Sequence, residues 1–306
     1  MISNTNTARA PHFILITVFL FSGLMNFIFD FSQNQNLMSF ISLFLVSTIG
    51  IYHGAFDIQK ATKISNYLNL KLFNFNLFYI MFALSIITLW ILFPQVILFI
   101  FLLISIHHFG SEEYLFYNYK SNFLESSFRG LLVITLPLVF HYNETIFIFK
   151  TIHLINHSNP LSLLNSNYSI IFLLIFINLF FSFISITKIS DRIKINFDMF
   201  IIVMMNYIFD PLFAFSLYFC FLHSIRNIYK IKSQKFLFSI MSDRNLLITT
   251  IITFFIFTGS FIYFYFYLKV PSSSNYVIFV GLAALTFPHI STEMIYNRLD
   301  IRDKIL

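Results

Sequence analysis

The sequence predicts an all-α fold: a polytopic membrane helix bundle of about eight to ten transmembrane helices, in one domain over residues 1–306. Three observations predict it. Only 10% of the 306 residues are charged, against roughly 25% in soluble domains, so the chain cannot cover itself with a solvated surface. Hydrophobic residues make up 58%, and mean hydropathy is +0.80. These residues gather into ten apolar runs, and the basic residues fall mainly between them.

In chain order, the first run, 12–30, follows a polar start with one Arg. It is too long for a signal-peptide core and no small-x-small site follows, so it reads as an uncleaved span. The next runs are 37–58, 72–93, 95–118, 129–143 and 169–187. Two short ones, 197–209 and 211–228, are separated only by "NYIFDP", and 246–268 and 275–295 close the series. With the N-terminus inside, ten crossings place sixteen of the 19 Lys and Arg residues in the cytoplasm, Arg9, Lys60, Lys63, Lys71 and Arg129 among them. Only Lys150 and Lys269 fall outside, with Arg226 at a helix end. Fusing the two short runs would move the 230–244 basic cluster outside. The positive-inside rule therefore favours an even count, with both termini cytoplasmic in a multi-pass protein of the cell (inner) membrane.

Composition also excludes other classes. The net charge of +6 is loop charge of the kind that orients spans, so no nucleic-acid partner is expected. Cys220 is the only cysteine, which rules out an intramolecular disulfide. The 45 Phe read as AT-rich codon usage before they read as an aromatic tunnel. No strand pattern or second domain is visible.

The chemistry-bearing residues are histidines. In this topology the second, fourth, eighth and tenth runs cross in the same direction. Each carries a histidine about 7 to 12 residues before its basic end: His53, His108, His223 and His289. At a rise of about 1.5 Å per residue they share one depth. Each is followed at i+4, on the same helix face, by a polar side chain: Asp57, Glu112, Asn227 and Glu293. Carboxylates near helix C-termini oppose the macrodipole. They need a cation, either Lys60 or Arg298, or a metal whose imidazole ligands donate to them. Ionisable groups inside spans mark functional sites, and an all-imidazole shell suits Fe(II), Zn or Cu. Pro288 is expected to kink its helix beside His289, and "GLAAL" (281–285) lets helices approach closely. His107 points about 100° away from His108. His12, His141, His153 and His157 map to helix ends or the outer loop and are read outside the site.

The blocks "YHGAFD", "SIHHFG", "YFCFLHSIRN" and "VGLAALTFPH" resemble the signatures of the Brp/Blh family of bacterial and archaeal membrane beta-carotene 15,15'-dioxygenases. The resemblance spreads over residues 49 to 290. It implies an enzyme that, with O₂, cleaves beta-carotene at its central double bond to two molecules of all-trans-retinal, commonly for a microbial rhodopsin. It also implies Fe(2+) held by His53, His108 and His223, with His289 in a family-like "FPH", and Asp57, Glu112 and Glu293 orienting imidazoles. No catalytic residue beyond the metal site is implied. The family pattern H-S-x-R-H has Asn227 in place of its second histidine here. Two alternatives to an active dioxygenase follow: a weakened member that assists opsin or retinal assembly, and a metal or proton transporter. The mostly apolar outer halves of the four helices count against the transporter.

Overall fold

The structure, a computed structural model, describes residues 10–29, 35–117, 119–152, 164–233, 243–269 and 273–299. Helix α1 spans Ala10–Phe29. Helix α2, Gln35–Leu45, runs through a π turn at Val46–Gly50 and a 3₁₀ turn at His53–Phe56 into α3, Asp57–Tyr67. Then come α4 (Leu72–Leu92), α5 (Pro94–Phe116), α6 (Phe123–Phe140), α7 (Tyr142–Thr151), α8 (Tyr168–Ser185) and α9 (Ile189–Ile208). Helix α10, Pro211–Leu217, passes through a second π turn, Tyr218–Ser224, into α11, Ile225–Ser233. The last two are α12 (Asp243–Ile262), which ends in a π turn at Tyr263–Tyr267, and α13 (Ser273–Arg298). No strand occurs among the described residues.

Seven of these helical segments are long and apolar enough to cross a membrane: 37–67, α4, α5, α6, α8, 247–267 and α13. Pro11–Phe27 is apolar but shorter. The remaining two expected segments, in α9 and α10–α11, are more polar, since they carry Asp198 and Arg226. The chain is a multi-pass membrane protein. Bulky apolar side chains such as Phe73, Ile91, Phe172 and Phe255 are more than 60% exposed, which suits a surface solvated by lipid rather than water.

Local chemistry sets the boundaries. Pro94 opens α5 at a position where a missing N–H is harmless. Asn122 and Glu125 cap α6 reciprocally, each side chain accepting from the other's backbone N–H at 2.9–3.0 Å. The expected break in "NYIFDP" is real. Asp210 accepts from the N–H groups of Leu212 and Phe213, each at 3.1 Å, and Pro211 starts α10. The stretch after His141, expected as outer loop, begins instead as the short helix α7. Helix α13 continues through Pro288 to Arg298.

Glycines decide the closest helix contact. A Cβ on Gly110 of α5 would lie 1.8 Å from the Ser126 carbonyl oxygen, and one on Gly130 of α6 would lie 1.7 Å from that of Ile106. Only glycine at both positions allows α5 and α6 to meet with backbones in contact. The small residues of "GLAAL" act similarly, because the Phe257 ring occupies the space a Gly281 side chain would need.

Three basic residues counted as loop charges are buried instead: Lys60, Lys63 and Arg129. Arg9, Lys235, Arg302 and Lys304 of the same tally lie outside the described residues, as do His153 and His157.

Candidate metal centre

Three of the four expected histidines converge. His108 comes from α5, His223 from the π turn before α11, and His289 from α13. The His108 ring centroid lies 5.2 Å from that of His223 and 5.6 Å from that of His289. Two imidazoles on one ion, at metal–nitrogen distances of about 2.1 Å, hold their centroids roughly 5 Å apart, so the spacing suits a shared ion. His223 and His289 are buried. The side chain of His53 is outside the described residues. Its 3₁₀ turn brings Gly54, Ala55 and Asp57 to the same cavity as the three imidazoles. His107 points away, as expected, and packs edge-on against Phe123.

That cavity has a volume of about 390 Å³, within the range of small-molecule sites. Its walls are mostly apolar, from α2–α3, α4, α5, α12 and α13. Phe219 stacks on His223 with ring planes 15° apart, and Phe109 meets the same imidazole edge-on at 5.0 Å.

Two of the carboxylates have partners on other helices. Asp57 takes the Nδ1–H of His289, on another helix, at 2.8–2.9 Å. It also accepts from the Tyr79 hydroxyl at 3.0 Å. Glu293, one turn after His289, forms an ion pair with buried Lys60, which also stands 3.6 Å from Asp57. Lys60 therefore supplies the cation that these two acids need inside the helix ends. Glu112 borders a small cavity of about 10 Å³ with His223, Arg226, Asn227 and Glu113.

Two buried ion clusters escaped the sequence reading. Glu113 of α5 accepts from Arg129 Nε at 2.5 Å. Arg226 pairs with Asp198, whose other oxygen accepts from His12 Nδ1 at 3.0 Å. The Tyr117 hydroxyl donates to Asp198 at 2.7 Å and lies 3.0 Å from His12 Nε2. His12, at the start of α1 as expected, is buried in an ionic network. The one available signal was the charge itself, since Asp198 and Arg226 stand in otherwise apolar stretches.

The two π turns also meet here. Gly50, at the end of the first, lets the Phe219 ring of the second pack where a Cβ would lie 2.7 Å away. Ser224 donates to the Gly50 carbonyl at 2.9 Å. Such turns add a residue without ending the helix, and they recur at functional sites.

An imidazole donor set is of the kind that suits Fe(II), Zn or Cu. Asp57 on Nδ1 of His289 leaves that ring's Nε2 as the nitrogen able to face an ion. Among the described residues, no group of three or more His, Cys, Asp or Glu side chains is arranged to hold an ion by itself, so the three rings need His53 or a small adjustment to complete a shell.

The profile of the family described as Beta-carotene 15,15'-dioxygenase matches residues 44–295. A protein of that name from an uncultured marine bacterium, 66A03, is 29% identical over 287 residues, which cover 88% of this chain and 98% of the relative. No solved structure matches significantly.

Proposed function

Because the chain belongs to the beta-carotene 15,15'-dioxygenase family, we propose that it cleaves beta-carotene at the central double bond with O₂, giving two molecules of all-trans-retinal. We place it in the cell's inner membrane, where a microbial rhodopsin would take up the product. The observation that carries this reading is the meeting of His108, His223 and His289 in one apolar cavity, with Asp57 behind His289.

In this reading His108, His223, His289 and His53 hold Fe(II). Bound iron supplies the O₂ chemistry that no side chain can perform. The protein's own tasks are physical. Phe109, Phe219 and the aliphatic walls bury the polyene at about 25 cal/mol per Å² and keep water from the reacting bond. Asp57, steadied by Tyr79 and Lys60, orients the His289 ring. No proton must be shuttled, which agrees with carboxylates already engaged by Lys60 and His289. Asn227 stands at a family ligand position, where its amide is a weaker donor than imidazole.

The test is expression in beta-carotene-producing cells, followed by pigment extraction and metal analysis of the purified protein. Retinal should form, with about one iron per chain, and His108→Ala, His223→Ala and His289→Ala should each remove most of both. Normal iron content with no retinal would defeat the cleavage reading and favour a role in opsin assembly.

A further inference from the structure

A second cavity lies far from the histidines and has about 790 Å³, against 390 Å³ around them. On α13 its lining reaches Asn275, fourteen positions before His289, or about 21 Å along the helix. One end is polar. Asn275 is 5% exposed, and its Oδ1 accepts no hydrogen bond. Glu144 of α7 and Asp210 at the start of α10 line the same cavity. Another part of the lining is aromatic. Phe40 and Phe44 of α2 meet Phe261 and Phe254 of α12 edge-on, at 5.3 and 6.3 Å.

The polar part of the lining holds two carboxylates and the unpartnered Asn275 oxygen beside the hydroxyls of Ser273 and Ser274. Ionised carboxylates only accept, and a buried amide oxygen left without a donor is destabilising. The missing partner is therefore a donor. The two carboxylates in the lining repel phosphate and carboxylate headgroups, which disfavours anionic lipids and fatty acids. A neutral hydroxyl on a long apolar body supplies that donor without the cost of burying a charge, and edge-on aromatic pairs favour a flat, conjugated or ring-bearing body.

We propose that this cavity is a second ligand site, which takes a membrane-dissolved isoprenoid alcohol with its hydroxyl donating to Asn275 Oδ1 and its body along the Phe40–Phe261 wall. The site is separate from the carotene-cleavage reading and stands if that reading fails.

The test uses the full-length protein in phosphatidylcholine nanodiscs, titrated with all-trans-retinol and followed by energy transfer from Trp90 and the tyrosines. Retinoic acid and retinyl methyl ether share the body but carry an anionic head or no donor. Both should bind at least about ten-fold more weakly, the scale of one hydrogen bond. Asn275→Leu should weaken retinol to a similar degree, and His289→Ala should leave retinol binding unchanged. The comparison of heads on the unaltered protein decides the matter even if Asn275→Leu misfolds. Equal binding of retinoic acid, or loss of retinol in His289→Ala but not in Asn275→Leu, would overturn the proposal. Displacement of retinol by equimolar dioleoylglycerol would also overturn it, by assigning the site to a lipid hydroxyl.

Discussion

Asp57 holds the Nδ1 of His289, 232 positions away in the chain, at 2.8 Å. The aspartate of "HGAFD" thus serves the histidine of "FPH", and two signature blocks from opposite ends of the sequence act as one unit. This contact joins α3 to α13, and Lys60 reinforces it through Glu293.

Asp57→Asn should therefore weaken the metal site without unfolding the bundle. Loss of a carboxylate behind a ligating imidazole typically reduces metal affinity 10–100-fold. Iron titration of the metal-free protein would show the change, and an unaltered affinity would mean that His289 does not ligate through Nε2.

Asn227→His addresses the departure from the family pattern. Asn227 is buried with its amide nitrogen unpartnered, one turn after His223. An imidazole there should tighten iron binding by about an order of magnitude and raise retinal formation in carotene-producing cells. If iron affinity stays constant while His289→Ala abolishes it, the shell is already complete without position 227.

Gly110→Ala tests the α5–α6 contact. The new methyl would sit 1.8 Å from a backbone oxygen, so the helices must separate, at about 3 kcal/mol or more. The thermal midpoint in detergent should drop sharply. Gly259→Ala, where nothing lies within 4 Å, should leave it level or slightly raised. Equal midpoints for the two variants would contradict the contact.

His12→Ala should destabilise the protein while sparing the metal. It removes a partner from Asp198 and Tyr117 inside the bundle, which costs about 1–3 kcal/mol. Iron per folded molecule should not change. A loss of iron instead would tie the Asp198–Arg226 pair to the histidine site.

The bundle and the convergence of three histidines were legible because both follow from periodicity. Apolar runs fix the spans, and a 1.5 Å rise fixes the depth of His108, His223 and His289. The inter-helix partners of two of the acids were not legible. The i+4 rule describes one isolated helix, whereas Asp57 and Glu293 reach to a neighbour. Arg129 looked like a loop charge because it stands at the start of an apolar run. Only the approach of Glu113, permitted by two glycines, reveals it as an interior residue. The π turns left no mark in composition, since one extra residue in an apolar run changes neither hydropathy nor length appreciably.

The Asp198–Arg226 pair bears on how the protein is built. A lone Asp or Arg at the centre of an inserting helix is disfavoured by about 2.5–3.5 kcal/mol each. Here the two are 28 positions apart, on either side of the sharp break at Asp210. If they enter the bilayer together, each neutralises the other before either meets lipid. Helices α9 and α10–α11 are then a hairpin that the insertion machinery must release as a unit. His12 precedes its ionic partner Asp198 by 186 positions, so α1 is made well before that carboxylate. The His12–Asp198 contact between α1 and α9 can close only once α9 has followed.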